Sequence, residues 1–197
     1  KGLGANLLHL SYCHQIVKKF GPVSLITLCP NLDKALKDDP AFSEIIYLDK
    51  FHKKFFDLFK MSNFLKKFDF ENIFIFYPSL RHYLSSKLAG IKNIYHYPLF
   101  KKKNLHLVKA AKKFIEISLN IENCPTETKF IINDLKAKQL KKNSLKKIIL
   151  GISSSGPTTK WGYLNYLSLI KKLNDLGDFY FYLLCGPEDQ NEANHII

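Results

Sequence analysis

The sequence predicts an α/β protein of parallel strands and crossover helices, arranged as two successive units. Three observations carry that expectation. Short runs rich in β-branched and aromatic residues, closed by Pro, Asp or Gly, recur along the chain, with amphipathic helical patterns between them. Strands that alternate with helices need crossover connections, and so pair in parallel. The alternation gives way to the lysine-rich stretch "NDLKAKQLKKNSLKK" (133–147) and then starts again.

The chain opens on "KGLGAN", a glycine loop running into the helical pattern "NLLHLSYCHQIVKKF", with Leu7, Leu10, Cys13 and Val17 at spacings of three to four and "GP" ending it. A glycine loop of this kind usually follows a strand, so a strand is expected before Lys1. "VSLITLC" (23–29), "IIYLD" (45–49), "IFIFYP" (73–78) and "NIYHYP" (93–98) read as strands. "FFDLFKMSNFLKKF" and "RHYLSSKLAG" read as helices, the latter with Gly90 as its C-terminal cap. "LHLVKAAKKFIEISLNI" (105–121) sets Leu107, Ala111, Phe114, Ile115 and Ser118 against Lys109, Lys112, Lys113 and Glu116 on the other side. The stretch 133–147 reads as a surface helix leading into a linker, with a domain boundary near 143–147. After it, "KKIILGIS" is a buried strand, "SSGPTTKWG" a loop, "YLNYLSLIKKLNDLG" a helix closed by Gly177 and "FYFYLLCG" a strand. "PEDQNEANHII" opens a helix with Pro187 in its first turn and acids after it, which suits the helix dipole.

Composition narrows the function classes. With 46% hydrophobic and 24% charged residues the chain is ordinary for a folded protein, and disorder is a poor reading. No apolar run approaches the ~20 residues of a membrane-spanning helix. The four cysteines lie in or beside apolar segments and form no CxxC, which fits buried reduced thiols in a cytosolic protein and no metal framework. His9 and His14 fall five apart on one helix and share no face well, so no metal site is expected there. The formal net charge is +13, and residues 99–147 hold 13 lysines against 4 acids. Such a run solvates a surface or attracts something anionic: a phosphorylated glycan, an acidic membrane or nucleic acid. Neither an aromatic RNA-binding pattern nor a zinc module accompanies it, so no specific nucleic-acid partner is expected.

The stretch "GISSSGPTTKWG" (151–162) is the richest in chemistry. After a buried strand, the first amides of the next helix point outward and carry partial positive charge, a ready anion site. Ser153, Ser154, Ser155, Thr158 and Thr159 add hydroxyl donors, Gly156 permits close backbone approach and Lys160 adds a full charge. A polar turn capped by Ser and Thr is the plainer alternative. Trp161 is expected to pack the loop against its helix. Gly186 and Pro187, in "CGPED" at the end of the next strand, form a tight turn on the same side, with Glu188 as a helix cap. Arg81 opens a helix after "IFIFYP", at the carboxyl edge of the sheet where ligands of open α/β sheets bind, and its fork suits phosphate or carboxylate. A surface salt bridge is its alternative role.

In order and spacing these segments resemble glycosyltransferase family 9, the heptosyltransferases that add heptose from ADP-heptose to the lipopolysaccharide inner core. The matching stretches are "GLGAN", "VSLITLC", "KDDPAFSEIIYLDK", "SLRHYLSSKLAGIKNIYHYP", "LHLVKAAKKF", "IILGISSSGPTTKWGYLNYLSLIKKL" and "LLCGPEDQ". The resemblance implies two Rossmann-like domains of the GT-B type facing a cleft. Residues 1–145 would be the acceptor-side domain, and 146–197 the opening, incomplete part of the nucleotide-sugar domain. The family's later "D-x-G-x-x-H-x-A" loop, which helps hold the donor diphosphate, has no counterpart before Ile197.

The resemblance also implies site roles. Ser153, Ser154, Ser155, Thr158, Thr159, Lys160 and Gly186 would bind the donor diphosphate, with Lys160 stabilising the departing nucleotide. Gly4, Ala5, Asn6, Arg81 and His106 would face the acceptor. Sugar transfer with inversion needs a base, and the family's acid aligns with Ala5, which cannot take a proton. Asn6 beside it can orient a hydroxyl or cap the helix. Either another residue is the base, or this is a relative that binds nucleotide-sugar or glycan without turnover. The expected partners are an ADP-heptose-like donor and a lipopolysaccharide-core or other phosphorylated acceptor. No cofactor or metal is expected, and the location is cytoplasmic with peripheral contact at the inner membrane.

Overall fold

The computed structural model describes residues 3–48, 57–98, 105–131, 145–154 and 159–197. The chain divides into two compact units, Lys1–Asn133 and Asp134–Ile197. The expected surface helix and linker lie, over 133–144, outside the described residues.

In the first unit the order is α1 (Leu3–Leu7), α2 (Leu10–Phe20), β1 (Val23–Thr27), α3 (Leu32–Leu36), β2 (Phe42–Tyr47), α4 (Asp57–Leu65), β3 (Asn72–Ile75), α5 (Leu80–Leu88), β4 (Asn93–His96) and α6 (Leu107–Leu119). β1 pairs with β2 and β3 with β4, both in parallel. Side chains of a strand point alternately to its two faces, and here both faces are covered. Phe74, Tyr95 and Tyr97 face a core built with Tyr12 and Ile16 of α2 and Ala111, Phe114, Ile115 and Leu119 of α6. Ile73 and Ile94 face the other way, onto Met61 and Leu65 of α4, Ile91 and Leu48. Ile26 of β1 joins that second cluster, so the two strand pairs share a core although no ladder joins them among the described residues.

Local devices hold these layers. Tyr12 donates its hydroxyl to Val108 O at 2.8 Å, and Lys19 Nζ donates to Leu119 O at 3.0 Å, so α2 is bonded to both ends of α6. The lysine there also meets the partial negative charge of a helix C-terminus. Ser85 and Ser86 are fully buried; their small side chains let α5 approach α4, and Ser85 Oγ donates to Leu58 O at 3.1 Å.

The second unit runs β5 (Lys146–Gly151), α7 (Tyr163–Asn174), β6 (Phe179–Leu184), a 3₁₀ turn (Pro187–Asp189) and α8 (Gln190–Asn194). β5 and β6 pair in parallel through six registered positions, from Lys146 with Phe179 to Gly151 with Leu184. Leu150, Ile152, Ala193 and Ile196 form its core, with Tyr166, Leu169 and Ile170 of α7 packed on it.

The parallel α/β class is as the sequence predicts, and four particulars differ. "GLGAN" is a helical turn rather than a loop: Leu8 N donates to Gly4 O at 3.1 Å, and the chain breaks at Leu8–His9 before α2. α3, in the short sequence "LDKAL", was not expected; Leu32 and Leu36, one turn apart, bury against Leu10 and Cys29 and hold it. On α6, Leu119 is buried, whereas Leu107 in the first turn stands exposed. Trp161 packs edge-on against Tyr166 of α7, as expected, yet it remains 50% exposed.

Candidate functional site

In the second unit the chemistry gathers beyond the carboxyl ends of β5 and β6. Ser153 follows β5 and Gly186 follows β6, and Gly186 N donates to Ser153 Oγ at 2.6 Å. The Ser153 hydroxyl in turn has its own proton for the carboxylate of Asp189. Lys160 Nζ donates to Asp189 Oδ1 and lies 3.8 Å from Glu192 Oε2. The result is a directed chain, from the Gly186 amide through Ser153 to Asp189, with Lys160 entering the same carboxylate from the other side. It ties the loop after β5 to the turn after β6.

Hydrogen bonding, working against burial, sets its electrostatics. The Asp189 side chain is 8% exposed, Glu192 16% and Lys160 34%. Lys160 and then Ser153 hold the Asp189 carboxyl below the ordinary range. Its hydrogen bond to Asp189 holds the Lys160 ammonium above its ordinary value, against the opposing effect of burial. Both groups are therefore ionised at neutral pH.

The rest of the loop is partly described. Ser154 and Thr159 share a hydrogen bond through their hydroxyls, and Asn165 donates its side-chain amide to Trp161 O. Ser155 and Thr158 lie outside the described residues. Gly162, at φ 85°, starts α7, whose leading amides face the loop side. The structure thus brings Ser153, Lys160 and Gly186 together and adds two acids. Sequence reasoning passed over Asp189 and Glu192. Their spacing of three behind "GP" put them on one face of the turn, but only the fold brings Lys160 to that face.

In the first unit the expected acceptor-side residues sit at several strand ends. Asn6 Oδ1 accepts from Thr27 Oγ1 at 3.1 Å, and that oxygen accepts from Cys29 N at 3.1 Å, which sets α1 at the carboxyl end of β1. Ala5 is exposed, and its carbonyl accepts from His9 Nδ1 at 2.7 Å, which fixes the proton on that nitrogen. The His9 ring packs edge-on against Phe76, just past β3. Arg81, the only arginine of the chain, stands half-buried in the first turn of α5. Ser79 caps that helix by accepting from His82 N at 3.4 Å. His106 is exposed and caps α6, its Nδ1 accepting from Val108 N at 3.4 Å.

Two histidine contacts were not legible in the sequence. His96, at the end of β4, places Nε2 3.2 Å from Ser79 N and 3.1 Å from Ser79 O, and one tautomer at a time satisfies one of them. His14 Nε2 lies 2.8 Å from Asp39 Oδ2, whose carboxylate is buried and also accepts from Ala41 N at 3.0 Å. That pair fastens α2 to the turn before β2. Among the described residues no group of three or more His, Cys, Asp or Glu side chains is arranged to hold a metal ion, and no helix is long and apolar enough to cross a membrane.

No protein-family profile matches the chain. No curated protein matches it by sequence. Solved structures do match. The ADP-heptose lipopolysaccharide heptosyltransferase II of E. coli aligns over 96% of this chain at a TM-score of 0.61 and 16% identity. A glycosyltransferase family 9 protein from Veillonella parvula aligns over 100% at a TM-score of 0.68 and 14% identity. This chain spans 63% of the length of each. At such identities the likeness is one of fold: over the aligned part the chain has the parallel α/β fold of these two structures.

Proposed function

We propose that this chain belongs to a family 9-type glycosyltransferase that moves heptose or a related sugar from an ADP-heptose-like nucleotide donor to a lipopolysaccharide-core or other phosphorylated acceptor. The observation that carries the reading is the convergence of Ser153, Lys160 and Gly186 at the carboxyl ends of β5 and β6, on a fold shared with a heptosyltransferase. Ligands of open parallel sheets bind at those ends.

The chemistry follows from charge. When the sugar leaves its nucleotide, negative charge grows on the diphosphate, and groups that bind it more strongly then accelerate the step. Lys160 supplies a permanent positive charge, the leading amides of α7 supply partial charge, and the hydroxyls of Ser154 and Thr159 supply donors. These groups take the role that a metal plays elsewhere, so the reading needs no resident cofactor. Asn6 orients the acceptor hydroxyl from the end of β1, with Arg81 and His106 as acceptor-side contacts.

A second reading, binding of nucleotide-sugar or glycan without turnover, is favoured by Ala5. Its exposed methyl stands where the family's acid is expected and takes no proton. One experiment separates these readings. ADP binding is measured by calorimetry on the wild type and on Lys160→Ala, and ADP release from ADP-heptose is then followed with a lipopolysaccharide-core acceptor. The expected result is ADP binding weakened about tenfold or more by the substitution, as for loss of a charged phosphate contact. Absence of ADP binding sinks the first reading and the nucleotide-sugar form of the second, and turnover sinks the second.

A further inference from the structure

We propose that Asp189, with Glu192 behind it, decides which anions the β5–β6 site accepts, because an incoming phosphate must take Lys160 away from these carboxylates. The inference rests on the reading of that site as the donor diphosphate site and adds a residue that determines its specificity.

Three observations carry it. First, the lysine is occupied: Nζ donates to Asp189 Oδ1, and Glu192 Oε2 stands 3.8 Å off. One ammonium faces two carboxylates, so the cluster as it stands carries an excess of negative charge. Second, Asp189 is held independently of the lysine. Ser153, itself fixed by the Gly186 amide at 2.6 Å, gives its proton to that carboxylate. The acid therefore keeps one partner when Lys160 turns elsewhere. Third, the lysine keeps an outlet, since its side chain is 34% exposed whereas Asp189 is 8% exposed. The ammonium has three donors on a flexible stem and can turn toward a ligand without displacing the acid.

The competition tunes the selectivity of the site. A ligand gains the lysine only by outbidding a carboxylate that loses its partner on the way, and losing a partner is costly for a largely buried charge. A diphosphate carries more charge and more acceptor oxygens than a monophosphate, and meets the lysine and the α7 amides together. A monophosphate repays the lost ion pair less well. A ligand too weak to take the lysine leaves the ion pair intact and bears none of that cost, so the acid weighs most on the ligand that does take it. The acid thus narrows the lead that the lysine gives nucleoside diphosphates and their sugars over nucleoside monophosphates, and its charge sets how wide that lead is.

The test measures ADP and AMP affinities by calorimetry on the 197-residue chain, in wild type, Asp189→Asn, Asp189→Glu and Glu192→Gln. Asn keeps the shape and accepts from Ser153 but removes the competing charge. The expected result is tighter binding to Asp189→Asn, by about threefold to tenfold for ADP and by less for AMP, so that the ADP:AMP ratio rises. Glu192→Gln shifts the ratio the same way by less, and Asp189→Glu restores it toward wild type. A merely structural role for Asp189 moves both affinities together and leaves the ratio alone. An unchanged ratio, or weaker ADP binding by variants with wild-type circular dichroism, overturns the proposal. Should Asp189→Asn fail to fold, Glu192→Gln decides by the same ratio. ADP binding that depends on Lys160 but ignores both acids defeats this inference and leaves the donor-site reading standing; no ADP binding by any form defeats both.

Discussion

Tyr12 and Tyr97 meet in one core, and their hydroxyls have opposite fates. Tyr12 is fully buried and donates to Val108 O at 2.8 Å, joining α2 to α6. The Tyr97 hydroxyl is buried and has no hydrogen-bond partner among the described residues, and burial pushes its pKa up. A buried hydrogen bond contributes about 1 kcal/mol net, while a buried polar group without a partner costs about 1–3 kcal/mol. Tyr12→Phe is therefore expected to destabilise the protein by about 1 kcal/mol, and Tyr97→Phe to be neutral or stabilising by up to about 1 kcal/mol. Urea unfolding of both variants checks this; an equal loss in the two would show that Tyr97 has a polar partner after all. Neither fate was legible in the sequence, which marks both positions as aromatic and strand- or helix-compatible and nothing more. The same holds for Asp39: "KDDP" offers two adjacent acids, and only the packing of His14 on α2 selects the second for burial.

Element boundaries were legible where backbone chemistry sets them. Gly90 was readable as the cap of α5, and it has φ 87°, with Gly90 N donating to Lys87 O at 3.1 Å and Ile91 N to Ser86 O at 3.2 Å. That reversal sends the buried Ile91 into the core and aims the chain at β4. No atom lies within 4 Å of a Cβ added there, so a substitution meets backbone strain alone. Gly90→Ala is expected to cost about 1–2 kcal/mol, the penalty for a side chain in the left-handed region, and Gly90→Asn clearly less. Thermal unfolding of the pair is the check, and equal melting temperatures would show that the turn relaxes. Boundaries set by tertiary contacts were not legible. α3 has too few residues for a helical period to show, and it persists because Leu32 and Leu36 close over Leu10 and Cys29. The "GLGAN" turn read as a loop because two glycines lower helix propensity, yet the bond from Thr27 to Asn6 fixes its end in place. The candidate anion site was half legible for the same reason: its hydroxyls and lysine lie in one stretch, whereas its acids lie beyond the next strand, in the 3₁₀ turn and α8.

Across the whole chain the two units differ in how much apolar surface each encloses, and stability should differ accordingly. Among the described residues the first unit holds three buried clusters, and both faces of its strands are covered by helices. The second holds one cluster, while Ile149, Leu164, Leu176 and Leu184 are each 65–80% exposed. Each apolar side chain left in water forgoes about 1.5–3 kcal/mol of burial free energy. Backbone ordering costs a similar amount per residue wherever it occurs, so the unit with less burial opens first. Native-state hydrogen exchange is expected to show the β5–β6 amides exchanging through a local opening at least about 1–2 kcal/mol below that of the β3–β4 amides, a tenfold or greater difference in protection. ADP should narrow that gap if it engages Ser154, Thr159 and Lys160, because a ligand that binds only the closed state adds its binding free energy to the opening cost. Equal protection in the two strand pairs without ligand would mean that the second unit draws stability from something other than its own core. Protection of β5–β6 that ADP leaves unchanged at saturation would place its binding elsewhere.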